Sequence, residues 1–272
     1  MGLHTEWIPY GERLRYSGYV ARPEGVKGSL PSVIVLQEIW GVDEHIQDVT
    51  RRLAQAGYVA FAPDLFAEGG SRPEALDFGR VDAAKSFLNT IPQTAWRNPE
   101  ERDAALSRLP GDEGKKVGQT LELLFNLGGR FPAFVGQAAA AAAFLRETYE
   151  PSRGQGVASV GFCLGGGLSA ALAANDEQLR GAIIYYGSLP AGIPIEPIRA
   201  PLLGFYGEND KRITDAVPDF SASLKAAGKS FEYHVYPDAP HAFFNDTRPS
   251  YHVSSARDAF VRTLDFLRGA LA

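Results

Sequence analysis

Short apolar runs rich in β-branched residues alternate with segments of three- and four-residue apolar spacing along almost the whole chain. No other feature restricts the fold more. Residues 31–41, PSVIVLQEIWG, are too short for a helix and read as a strand buried on both faces. In DEHIQDVTRRLAQAGY, Ile46, Val49, Leu53 and Ala56 share one helical face, which ends at Gly57. The pattern then repeats. VAFAPDLF, GVASVGF, GAIIYYG, APLLGFYGEND and FEYHVYPDA read as strands, and AFVGQAAAAAAFLRET, GGGLSAALAAN and DAVPDFSASLKAAG read as helices. A closing helix presents Phe260, Leu264, Phe266 and Leu267. This order predicts a mostly parallel, doubly wound α/β sheet with helices on both faces. No repeat or linker interrupts it, so residues 1–272 are expected to form one domain. The exception is 86–130, which is polar, broken by Pro92, Pro99 and Pro110, and helical only near 117–127. It reads equally as a lid or as a surface insertion.

Bulk properties exclude several classes. The net charge of −5 argues against a nucleic-acid binder, which carries a basic face. Five histidines and one cysteine do not build a Cys-rich zinc site, and no His-x-x-x-His pair occurs, so neither metal nor cofactor is expected. A single cysteine forms no intramolecular disulfide. No uninterrupted apolar stretch is long enough to span a bilayer, and the first twenty residues lack a basic stretch followed by an apolar run. A soluble, cytoplasmic protein acting on a small molecule is the expectation, with its oligomeric state open.

The lone cysteine lies in Gly161-Phe162-Cys163-Leu164-Gly165, between a predicted strand and a predicted helix. Gly-x-Cys-x-Gly matches the nucleophile elbow of α/β-hydrolases with Cys in place of Ser. Flanking glycines let strand and helix approach, and the thiol then sits at a helix N-terminus that favours a thiolate. By itself the pattern also suits a buried structural cysteine. Chain order raises it: Asp210 follows the strand in PLLGFY, and His241 follows the strand in FEYHVY. Nucleophile, acid and histidine in that order, each after a strand, bring three groups to one sheet edge. The other histidines, His4, His45, His234 and His252, read as structural or solvated. The loop after the first core strand and the residue after the nucleophile supply the oxyanion-hole N–H groups in this fold, here Ile39 and Leu164. Glu38, at the end of that strand, is a carboxylate whose burial needs a hydrogen-bond partner, and a thiol is one candidate.

Together QEIWGVDEHIQDVTRRLAQAGYVAFAPDLF, VGFCLGGG, GENDKRI and HAFFND resemble the dienelactone hydrolase (carboxymethylenebutenolidase) family over nearly the whole chain except 86–130. The resemblance implies an α/β-hydrolase fold and a triad of Cys163, His241 and Asp210. It also implies that Glu38 bonds the resting thiol and takes its proton when substrate arrives. One departure concerns the substrate. Where the family places a carboxylate-binding arginine four residues after the histidine, this chain has Asn245, and the next arginine downstream is Arg248. A second family arginine is not assignable to Arg72 or Arg80.

The expected activity is hydrolysis of an ester or lactone through a Cys163 thioester. A general carboxylesterase or peptidase on the same fold is the alternative within enzymes. A non-catalytic thiol that senses oxidants is the alternative outside them, although it gives no reason for an acid and a histidine in triad order.

Overall fold

The computed structural model describes residues 2–96, 98–188 and 192–272. Its strands are β1 (Leu3–Tyr10), β2 (Tyr16–Pro23), β3 (Ser32–Leu36), β4 (Val59–Pro63), β5 (Val157–Phe162), β6 (Gly181–Tyr185), β7 (Leu202–Gly207) and β8 (Phe231–Tyr236). They form one eight-stranded sheet in the order β1-β2-β4-β3-β5-β6-β7-β8. β2 runs antiparallel to β1 and β4, and every other neighbouring pair is parallel. The helices are α1 (Glu44–Gln55), α2 (Phe78–Asn89), α3 (Pro99–Leu106), α4 (Glu113–Phe125), α5 (Phe131–Ala143), α6 (Leu164–Asn175), α7 (Lys211–Thr214), α8 (Val217–Ala226) and α9 (Val253–Ala270).

Alternation along β3 explains the layering. Val33 and Val35 point into a core shared with Ile46, Val49 and Leu53 of α1 and with Ala256, Ala259 and Leu267 of α9. Ile34 and Leu36 point the other way, toward Leu121 of α4, Phe134 and Ala138 of α5, and Leu168 and Leu172 of α6. Both faces of β3 are therefore covered, which is why its sequence is a continuous apolar run. Each buried aliphatic side chain contributes about 1.5–3 kcal/mol by leaving water. On α9, Leu267 is fully buried, whereas Phe260, Leu264 and Phe266 are partly buried at the margin of the same core.

Segment 86–130 is built into the fold. Leu88, Leu106, Val117, Leu121, Leu124 and Leu127 enter the same core as Ile34 and Leu36. Two of its prolines lie at or before a helix start rather than inside a helix. Pro99 occupies the first turn of α3 behind the Asn98 cap, whose side chain accepts from Glu101 N at 3.4 Å. Pro110 accepts from Glu113 N at 3.1 Å as the chain turns into α4.

Candidate active site

Register carries the chemistry-bearing loops to one edge. Leu36 pairs with Gly161, Phe162 with Tyr185, Tyr185 with Phe205, and Gly207 with Tyr236. The residues that follow each strand therefore emerge side by side.

Cys163 follows β5 and immediately precedes α6. Its backbone lies at φ 54°, ψ −112°, a left-handed conformation that is costly for a residue with a side chain. The turn is held by Cys163 N donating to Tyr185 O at 3.0 Å and by Gly166 N donating to Cys163 O at 3.0 Å. The glycines on either side are sterically required. A Cβ on Gly161 would lie 1.8 Å from Gly165 O, and one on Gly165 would lie 2.2 Å from Leu36 O. The elbow pattern read from the sequence is thus a close three-way approach of β3, β5 and α6.

Asp210 stands at the start of α7, and its N–H donates to Gly207 O at 3.1 Å. Asn209 N reaches Ala239 O at 3.0 Å, lacing the Asp210 loop to the His241 loop. Across that junction His241 Nδ1 and Asp210 Oδ2 are 2.5 Å apart. Burial opposes charge on the His241 ring, but its electrostatic interaction with the Cys163 sulfur beside it and the hydrogen bond to Asp210 outweigh this. Its pKa is pushed up to about 10. His241 is thus hydrogen-bonded to Asp210 on one side and lies beside the Cys163 sulfur on the other.

They open onto a cavity of about 390 Å³, which Cys163 and His241 line together with Glu38, Ile39, Trp40 and Arg248. Leu88, Asn89, Ile91 and Trp96, from α2 and the stretch after it, complete the opposite wall. Among the described residues, the N–H groups of Ile39 and Leu164 donate to no protein acceptor. Leu164 is the first residue of α6, where an N–H has no intrahelical partner.

Glu38 is 2% exposed. Its hydrogen bonds come from Tyr186 OH to Oε1 at 3.2 Å and Asn245 Nδ2 to Oε2 at 2.9 Å. The bond from a resting thiol that the resemblance implies is not among the hydrogen bonds of the described residues; both oxygens are taken by other donors. Tyr186 escaped the sequence reading, because an aromatic at a strand end is ordinarily core.

Asn245 does not face substrate. It is fully buried and turned toward Glu38, whereas Arg248, three residues on, lines the cavity. Arg248 lies 5.2 Å from the Trp40 ring and 4.8 Å from the Trp96 ring. Burial lowers its pKa, opposed by the charges of Glu38 and Cys163. Arg72 and Arg80 serve elsewhere. Arg72 pairs with Asp64 at 2.6 Å and stacks on Phe78, and Arg80 donates to Lys116 O at 2.7 Å. Of the other histidines, His45 is buried against Phe162 and Phe244, while His4, His234 and His252 bond to Glu6, Glu232 and Ser255. Among the described residues no cluster of His, Cys, Asp or Glu could hold a metal ion, and no helix is long and apolar enough to cross a membrane.

Comparison with known proteins gives the family. The profile of the dienelactone hydrolase family matches residues 16–271. A protein of Saccharolobus solfataricus named "Putative carboxymethylenebutenolidase" is 35% identical, over 95% of each chain. One of the same name from Escherichia coli (strain K12) is 33% identical over 92% of this chain and 81% of its own. A crystal structure described as "Putative Dienelactone Hydrolase", from Klebsiella pneumoniae, superposes with a TM-score of 0.65 at 32% identity, covering 98% of this chain and 99% of the other. The chain belongs to the dienelactone hydrolase family, hydrolases built on the α/β-hydrolase fold.

Proposed function

We propose that the protein cleaves an ester or lactone bond by nucleophilic catalysis at Cys163. The observation that carries this is the meeting of the strained Cys163 turn with the His241–Asp210 pair at one cavity. The Cys163 sulfur attacks the carbonyl carbon, forming the C–S bond as the carbonyl oxygen becomes an oxyanion. The N–H groups of Ile39 and Leu164 hold that oxyanion. His241 gives its proton to the leaving oxygen as the C–O bond breaks, leaving a thioester. Water then attacks the thioester and passes a proton to His241. The C–S bond breaks, a carboxylic acid leaves, and the imidazolium–thiolate pair is restored. Asp210 orients the ring and favours its charged form. Where the free enzyme holds a thiol, Glu38 takes its proton as substrate enters and returns it to the sulfur once the acid has left.

The cavity also suggests which esters fit. Among the described residues no carboxylate lies within 4.0 Å of the Arg248 guanidinium, which is held instead against two indole faces. An anionic group on the substrate completes it, while Leu88, Ile91 and Trp96 receive an apolar portion.

Cys163→Ala tests the reading. Hydrolysis of p-nitrophenyl acetate is expected to vanish while the circular dichroism spectrum stays as in the wild type. Retained turnover in a folded variant would make Cys163 structural.

A further inference from the structure

We infer that Asn245 and Tyr186 are positioning residues for the reaction: together they fix the Glu38 carboxylate on the cavity floor, and Thr247 and Lys85 extend that hold to α2. The inference rests on the proposed role of Glu38 and goes beyond it by naming what holds that residue in place.

A carboxylate excluded from water needs donors on both oxygens, and here each oxygen has one. The side-chain orientation of Asn245 follows from its other partner. Its Oδ1 accepts from Thr247 N at 3.1 Å and from Thr247 Oγ1 at 2.7 Å. A backbone N–H only donates, so the carbonyl of Asn245 must face Thr247 and the NH₂ must face Glu38. With every polar atom engaged and no exposure, Asn245 has nothing left for a substrate.

Tyr186 is the second arm. Its phenol is buried, and burial beside Glu38 and Cys163 pushes its pKa far up, so it remains a donor. The residue holds a left-handed backbone at φ 40°, unusual for a tyrosine, and this directs the ring under the site. The ring also meets His241 at 5.2 Å between centroids, so one side chain touches both the imidazole and the carboxylate.

The chain of donors continues outward with one polarity. Lys85 Nζ donates to Thr247 Oγ1 at 2.9 Å, Thr247 Oγ1 donates to Asn245 Oδ1, and Asn245 Nδ2 donates to Glu38. A cation at one end and an anion at the other polarise every bond in the same sense. Lys85 is itself anchored by Asp43 Oδ2 at 2.7 Å. A network that merely satisfied buried polar groups would not need to end on the one carboxylate that lines the cavity beside Cys163.

The full-length protein tests this with two readouts: kcat/KM for p-nitrophenyl acetate, and the pH profile of Cys163 alkylation by iodoacetamide. Glu38→Gln, Asn245→Ala and Tyr186→Phe are compared singly and as doubles with Glu38→Gln. Each of the two positioning variants is expected to lower kcat/KM by about ten- to a hundredfold, the size of a lost bond to a charged group. In the Glu38→Gln background the same changes are expected to cost under about threefold, because their target has gone. Asn245→Asp gives a further signature. It keeps the shape but donates only while one carboxyl of the pair holds a proton, so its activity relative to wild type falls as pH rises. Losses that multiply in the doubles, or an Asn245→Asp profile parallel to wild type, overturn the inference. If Asn245→Ala does not fold, Tyr186→Phe decides, since it removes only a hydroxyl. A Glu38→Gln variant with unchanged turnover and alkylation would instead sink the role of Glu38 itself.

Discussion

Cys163 and His241 are each held in states they would not adopt alone. The cysteine sits in a left-handed turn that the glycines at 161 and 165 make possible by removing every competing Cβ. The histidine keeps its proton because Cys163 and Asp210 both favour the charged ring over what burial would impose. The folded pKa lies above the ordinary 6.5, so the pair's contribution to stability is complete below about 6.5 and is lost as pH climbs to about 10. Asp210→Asn removes the carboxylate that holds the proton at Nδ1. The His241 midpoint, followed by NMR of the ring protons, is expected to fall well below that of the wild type. An unmoved midpoint would mean that Asp210 only orients the ring. Either result leaves the elbow untouched, because no bond of the Cys163 turn involves Asp210.

Elements were legible in the sequence where burial on both faces writes a continuous apolar run. β3 to β7 show for that reason; β8, an edge strand with no buried residue, shows by its alternation instead, and α1, α5, α6, α8 and α9 show by helical spacing or composition. β1 and β2 do not. β1 is an edge strand, mostly exposed or half-buried, so its sequence LHTEWIPY carries no core signal. α2 and α3 were hidden for another reason: they bury narrow stripes under a polar surface, and Pro99, which reads as a break, opens α3. The site divides the same way. That the loops of Cys163, Asp210 and His241 meet was legible because chain order around a parallel sheet fixes which loops share an edge. Alignment with the family's arginine gives the position of Asn245 but not its direction, and the turn from Asn245 to Arg248 points one inward and the other into the cavity. That turn is tied to α2 through Lys85, which bonds both Thr247 and the Asp43 cap of α1. Lys85→Met strands the buried Asp43 carboxylate and is expected to cost about 3 kcal/mol in a urea melt. A loss under about 0.5 kcal/mol would show that the pair behaves as a solvated surface contact.

Across the whole molecule, the cavity is where distant parts of the chain meet: the β3 loop, the wall from 88 to 96, and the loop carrying His241 and Arg248. The protein as a whole carries a net charge of −5, so nothing in its bulk electrostatics draws an anion. Selectivity for one must be local. On the proposed substrate reading Arg248 supplies it, because its guanidinium is partly desolvated, flanked by Trp40 and Trp96, and without a carboxylate partner among the described residues. A charge-assisted bond from arginine to a substrate carboxylate in such a place is worth about 1.5–3 kcal/mol, or roughly ten- to a hundredfold in kcat/KM. Paired aryl esters, one bearing a carboxylate and one its uncharged methyl ester, are therefore expected to differ by that ratio in favour of the anion. Arg248→Met keeps the aliphatic stem between the indoles and removes the charge, and it is expected to bring the ratio to about one or below. The neutral ester should lose little, because the sulfur, the imidazole and the oxyanion donors are untouched. A preference for the anion that survives Arg248→Met would place the anchoring cation elsewhere on the cavity wall, and the substrate reading drawn from Arg248 would fall.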